Sequence, residues 1–216
     1  MTKHSSGLLT QALAARTNLI NWATKNFIFL ILALIYFLYL IFFSITRHIS
    51  FHSLGLDMAV FEQVYWNSVN GRFWEFSLEL VKATPHSYFA NHFSPFLLLL
   101  VPIYYLFPYA QTLLTLQSLA LVVGVVPIYL FALEILKSSK KALFVVLIYF
   151  LSPFIQNINL FDFHEVSFFI PIFGFCLLFL FRKKWLLFWI FLILSLSIKE
   201  EIGLIGFGLG IFLILK

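Results

Sequence analysis

The sequence predicts an all-α, polytopic transmembrane helical bundle of about six spans, with a large first outer loop carrying juxtamembrane helices. Composition comes first. Of 216 residues, 62% are hydrophobic and 11% are charged, with a mean hydropathy of +1.00. A soluble domain needs more polar surface than that. Second, apolar runs approach about twenty residues, the length that crosses a hydrocarbon core of about 30 Å. Third, runs such as 27–43 do not alternate apolar with polar residues, as transmembrane β-strands do. The formal charge of +5 comes from short basic clusters at helix ends, which orient a membrane protein and do not point to nucleic acid. The single cysteine, Cys176, sits in an apolar run. It excludes an intrachain disulfide or a thiolate metal cluster and leaves packing as its role.

Residues 1–25 read as a polar cytoplasmic tail with Lys3, Arg16 and Lys25, either a short amphipathic surface helix or a disordered segment. Residues 26–216 form the transmembrane domain. Its first span runs over 27–45, and the bulky Thr46-Arg47-His48 that follows makes it an uncleaved signal anchor. Residues 46–108 make the first outer loop. Inside it, Leu54 to Pro95 is a polar island holding Asp57, Glu62, Glu75, Glu79, His86 and His92. Long connections without a functional reason are uncommon. Asp57 is placed to cap a helix running to about Asn70. Met58, Phe61, Tyr65 and Val69 share one face of it, and Gln63, Asn67 and Asn70 another, which gives an interfacial amphipathic helix. Asn70-Gly71 signals a turn. Tyr65, Trp66, Trp74 and Tyr88 suit headgroup depth.

Residues 93–107 are apolar but short, with Pro95 and Pro102 inside, and read as a broken or re-entrant helix. Spans follow over 109–136, 142–159, 166–181, 185–198 and 202–215. The last three need membrane thinning, snorkelling or burial among neighbours. Gly203, Gly206, Gly208 and Gly210 in the final span follow no strand, so they read as small residues for close helix packing, not as a nucleotide loop.

Basic residues test the topology. With the tail in the cytoplasm and 93–107 not crossing, ten Lys and Arg lie inside and four outside; if 93–107 crosses, the tally reverses. The positive-inside rule favours the first arrangement. That arrangement also gathers eight of the nine acids, all but Glu134, and five of the six histidines on the outer face.

The candidates for chemistry lie there. Asp57 is either a helix cap or a carboxylate that takes a proton from an acceptor hydroxyl or holds a metal. Asp162, His164 and Glu165 form a polar cluster between two apolar segments, either a solvated turn or a site for a hard or borderline cation. Lys199, with Glu200 and Glu201, is either a hairpin turn or a cation for an anionic headgroup or phosphate. His92 opens the Phe93-Ser94-Pro95 turn and is a phosphate or metal ligand or a plain interfacial histidine. Gln156, Asn157 and Asn159 either line a polar cavity or make interhelical hydrogen bonds.

Five segments taken in order, 57–63, Gly71-Arg72, 92–95, 161–165 and 199–201, resemble Domain of Unknown Function 2079, a family of prokaryotic membrane proteins. The resemblance runs from about Gly55 onward. That family in turn resembles the GT-C glycosyltransferases, which implies a GT-C-like fold in a prokaryotic plasma membrane. The implied activity is transfer of a sugar from a polyprenyl-phosphate donor at the outer face. Asp57 takes the place of the first-loop catalytic acid, and Glu62, His92, Lys199 and Glu200 contact substrate. Asp162, His164 and Glu165 take a divalent metal such as Mg or Mn. Membrane lipid and a lipid-linked sugar are the partners. GT-C enzymes usually have more spans, so a partner subunit, a missing C-terminal portion or a minimal version is also implied. A transporter or flippase for a lipid-linked substrate, or a non-catalytic membrane assembly subunit, are the rival readings.

Overall fold

The computed structural model describes residues 17, 21–77 and 86–215. Most of the polar tail, Glu79 in the island, and Lys82 and Lys216 in the charge tally lie outside the described residues. The chain divides into two compact units, Met1–Tyr36 and Phe37–Lys216. The described part of the first holds the start of α1 (Phe27–Ile49), preceded by Asn26, whose side-chain amide donates to the Trp22 carbonyl. Everything below concerns the second unit.

After α1 come α2 (Gly55–Val69) and a two-residue hairpin ladder of β1 (Glu75–Phe76) and β2 (His86–Ser87). The ladder is antiparallel, with Glu75 opposite Ser87 and Phe76 opposite His86. A 3-10 segment over Pro95–Leu100 leads into α3 (Val101–Leu106). The remaining helices are α4 (Ala110–Val123), α5 (Val125–Leu136), α6 (Ser139–Phe150), α7 (Pro153–Leu160), α8 (Phe169–Phe181), α9 (Trp185–Leu196) and α10 (Ile202–Leu215). The architecture is helical with almost no sheet, as expected.

Two helices, Phe27–Ile49 and the joined Ala110–Leu136, are long and apolar enough to cross a membrane. A third span results if α6 and α7 count as one, but they meet at 47°. The expected straight span over 142–159 is therefore broken, because Pro153 supplies no N–H to continue the ladder and begins a new helix. The other apolar helices over 95–215 are 10–17 residues long. Residues 93–107 are broken as expected: a 3-10 turn runs into six α-helical residues.

Two short connections fold the chain back on itself. Lys137-Ser138 joins α5 to α6, and Arg182 to Lys184 joins α8 to α9. Lys137 and Lys183 hold left-handed conformations, at φ of 50° and 56°, that end the preceding helices. Arg182 donates from Nε to Glu134 Oε1 at 2.6 Å, tying the end of α8 to the end of α5. Gly124 joins α4 to α5 in a crowded place. A Cβ there would meet Ile170 Cγ2 at 2.8 Å. The Tyr149 hydroxyl reaches past it to donate to the Leu121 carbonyl at 2.7 Å. In α10 only Gly206 works as a packing glycine, against Leu196; Gly203, Gly208 and Gly210 have nothing within 4 Å. Cys176 is buried, with its thiol toward the Phe188 carbonyl.

Loop and bundle share one apolar core that includes Phe61, Tyr65, Trp74, Leu97, Tyr104, Leu113 and Phe163. This corrects the aromatic-belt expectation. Tyr65, Trp74 and Tyr88 are buried, and only Trp66 is exposed. Trp74 adopts φ of 62°, unusual for a bulky residue. Its backbone N–H donates to the Ser68 hydroxyl, and its ring stacks on Phe89. The amphipathic reading of α2 is corrected likewise. Met58, Phe61 and Tyr65 are buried as expected, but so is Asn67, whose amide bonds the Glu75 carbonyl and Arg72.

A staple holds the segment that follows α1 to the bundle. Asp162, fully buried, accepts from Arg47 Nη1 at 2.7 Å and from the Leu54 N–H at 2.6 Å. Replacing Asp162 by Ala strands Arg47, whose side chain is 25% exposed, and leaves an open helix start. We expect a loss of about 3 kcal/mol or more, read as a lower thermal midpoint of the detergent-solubilised chain. Exchange of Glu134, a partly exposed acid paired with Arg182, for Gln costs less.

Candidate functional site

Four separate segments deliver the site. The first is α2. Its N-cap is Leu54, with no side-chain cap, so Asp57 is not the cap that the sequence predicts; it lies in the first helical turn. The N–H of Leu54 is satisfied instead by Asp162, 108 residues away. Asp57 is thus left free to face its surroundings.

The second segment is the loop 161–165. Gln117 of α4, fully buried, builds it. Its amide nitrogen donates to the carbonyls of Ile158 and Asp162 at 3.0 and 3.2 Å, and its oxygen accepts from the His164 N–H at 2.7 Å. With the backbone so fixed, side chains diverge. Asp162 turns to Arg47. Phe163 plugs the core, edge-on to Phe61 at 5.0 Å. His164 points to Asp57, with Nε2 3.9 Å from Oδ1. Glu165 is buried, 1% exposed.

The third segment is the turn between α9 and α10. Lys199 places Nζ 3.4 Å from Glu165 Oε1. Glu200 accepts from His92 Nδ1 at 2.7 Å and from the Phe93 N–H at 3.1 Å. The hydrogen bond with His92 holds the Glu200 carboxyl below its ordinary 4.5. The fourth segment, 92–97, brings His92 and is tied down by the Phe96 N–H on the Ser197 carbonyl at 2.9 Å.

Asp57, His92, His164, Glu165 and Lys199 line one cavity of about 210 Å³, with Phe61, Phe76 and Tyr88 among its walls. Burial, and then the Glu165 charge, raise the Tyr88 hydroxyl well above its ordinary range. That hydroxyl stays protonated. Larger cavities elsewhere, such as that of about 400 Å³ among Pro127, Phe131 and Leu177, are almost wholly apolar.

Two expected members lie apart. Asp162 is held away from the cavity by Arg47 and Leu54. Among the described residues, no three His, Cys, Asp or Glu side chains are placed to share a metal ion. Asp162, His164 and Glu165 are therefore not one ligand set. Glu62 lies beside a second cavity with His48 and Ala110 and accepts from the Tyr104 hydroxyl at 2.8 Å. Burial pushes its carboxyl up, against the pull of Tyr104 and His48.

Sequence reasoning missed Gln117. Its signal was a lone amide in the apolar run Leu113 to Val123. Of the polar residues near the end of α7, Asn159 takes the interhelical role: it accepts from the Ser118 hydroxyl and donates to the Leu40 carbonyl.

Residues 47–216 match the family described as "Predicted membrane protein (DUF2079)". This chain belongs to that family. The match begins at Arg47, the partner of Asp162, and takes in every residue of the cavity. The comparison with curated proteins finds no match, and neither does the comparison with solved structures.

The His92–Glu200 contact joins two elements of this DUF2079 member across the mouth. Because the folded Glu200 value is depressed, the stabilisation is complete above 4.5 and is lost as pH falls through the folded value. Glu200→Gln should therefore lower the thermal midpoint near neutral pH, with the gap to the unaltered chain closing in acid. A gap that persists in acid removes the carboxylate from the latch.

Proposed function

We propose that this protein is a membrane glycosyltransferase of GT-C type that takes its sugar from a polyprenyl-phosphate donor at the outer membrane face. The observation that supports the reading best is the meeting of Asp57 and His164, 3.9 Å apart at a cavity whose residues come from segments up to 142 positions apart (199 minus 57). Ionisable groups beside apolar helices are costly to keep and mark function.

In this reading α1, α4–α5, α6–α7, α8, α9 and α10 are six crossings, with the N-terminus in the cytoplasm. The Glu134–Arg182 pair lies at the inner end and the cavity at the outer end. The acceptor hydroxyl approaches Asp57. Its proton passes to the Asp57 carboxylate, its oxygen bonds to the anomeric carbon, and the bond from that carbon to the phosphate oxygen breaks. The electron pair leaves with the polyprenyl phosphate. His164 stands beside Asp57 and positions it, and His92 lines the same cavity on the side where the phosphate would lie. A divalent cation such as Mg or Mn would meet Asp57 and His164, since Mg is held by one or two carboxylates together with substrate phosphates; bound, it would offset the leaving charge. Exposed Leu56 of the cavity lining and exposed Phe161, whose ring lies 4.9 Å from that of His164, would give a polyprenyl tail apolar surface.

Asp57→Asn keeps the shape and removes the base. Sugar transfer from a polyprenyl-phosphate donor, followed in membranes carrying the full chain, should fall at least a hundredfold. Unchanged transfer takes Asp57 out of the mechanism.

A further inference from the structure

Glu165 is the anomaly in the cavity. It is 1% exposed, and among the described residues neither carboxylate oxygen has a hydrogen-bond partner. Lys199 at 3.4 Å is its ion-pair partner. Burying a carboxylate is costly unless it is both paired and hydrogen-bonded, and about nine in ten buried polar groups are bonded. Asp162, three residues earlier, shows that this loop can satisfy an acid in full. Glu165 instead lines a cavity with both carboxylate oxygens buried and unbonded among the described residues.

We infer that Glu165 and Lys199 form the floor of a subsite that reads the hydroxyl groups of a single uncharged sugar ring. The inference rests on the reading of this cavity as a sugar-transfer site and names its substrate class. A hydroxyl donates once and accepts twice. Two neighbouring hydroxyls therefore donate to the two Glu165 oxygens, and their own oxygens accept from the Lys199 ammonium. The ring walls Phe61, Phe76 and Tyr88 supply apolar surface for the C–H face of the sugar. At about 210 Å³ the cavity is smaller than the roughly 300–1,000 Å³ of pockets for drug-sized ligands, which suits one ring.

Charge decides against an anionic occupant. With no cation at Asp57 and His164 the cavity carries Asp57 and Glu165 against Lys199, a formal −1 with neutral histidines (one cation minus two acids); a cation held there would offset Asp57 and leave Glu165 as the acid of the floor. An anion on the floor would face Glu165 directly and would have to draw Lys199 from it. Lys199, which the sequence assigns to phosphate, is in this arrangement a hydroxyl donor, and a phosphate stays at the mouth.

The test is binding to the full chain in detergent, read as the shift of its thermal midpoint. Methyl glycosides of neutral hexoses, methyl hexuronates carrying a free carboxylate, and inorganic phosphate are the probes. At least one neutral hexoside should raise the midpoint, and the hexuronates should not. Glu165→Gln should require roughly ten times more of that hexoside, or greater, for the same shift. The inference is overturned if no neutral hexoside shifts the midpoint, if hexuronates do so as well as hexosides, or if Glu165→Gln leaves the hexoside response unchanged. Should Glu165→Gln fail to fold, deoxy-hexosides on the unaltered chain decide. Loss of one or two particular hydroxyls should abolish the shift, and an indifferent series overturns the inference. None of these readouts needs turnover. Glu165-dependent hexoside binding without transferase activity removes the enzyme and leaves the subsite; transfer without such binding does the reverse.

Discussion

The architecture hangs on one buried ion pair, Arg47 with Asp162. A fully buried carboxylate survives only if its charge and its lone pairs are both answered. Here the guanidinium at the end of α1 answers the charge, and the Leu54 N–H at the start of α2 takes the second oxygen. The result is more than stability. The pair fixes where the first long helix ends and where α2 begins, and so fixes Asp57, which sits one turn into α2. Gln117 completes the arrangement from the other side by holding the loop backbone on three hydrogen bonds.

From that anchor the loop 162–165 distributes its side chains by function. Asp162 goes down to Arg47, Phe163 into the aromatic core, His164 toward Asp57, and Glu165 to the cavity floor. A run of four residues therefore builds the wall and equips it. The apolar neighbours matter as much. Phe163, packed on Phe61, blocks any rotation that would exchange the positions of Asp162 and His164, because a close-packed core tolerates no such swap.

What the sequence disclosed was whatever rides on local pattern. Apolar runs gave most helices within a few residues, though not the break at Pro153 inside 142–159; Asn70-Gly71 gave the turn, in which Gly71 has φ of 84°, and the ordered motifs gave the family. The gathering of Asp57, His92, His164, Glu165 and Lys199 also followed from alternating the helix ends. Side-chain destinations did not. Asp57 reads as a helix cap because Asp caps helices, yet the cap arrives from Asp162, which no periodicity reports. Trp74 reads as an interfacial aromatic because nothing local reveals that Tyr65 and Phe89 enclose it. Asp162 reads as a metal ligand because its neighbours are His164 and Glu165, while its actual partner lies 115 residues earlier. Gln117 was passed over because a single amide among leucines does not distinguish a loop-holding residue from a lipid-tolerated one.

The two acids of one loop carry the argument about function further than either does singly. Asp162 and Glu165 are equally buried, so burial alone cannot explain why one has its hydrogen bonds and the other lacks them. Ser167, two residues on, donates its hydroxyl to the His164 carbonyl and not to Glu165. A fold that invests an arginine, a backbone N–H and a glutamine in holding Asp162, and leaves Glu165 facing a cavity with a lysine alone, has separated the two roles an acid can play. One acid is consumed in making the structure. The other lines the polar cavity with its acceptors unmatched among the described residues, which is the observation that the proposed sugar subsite rests on.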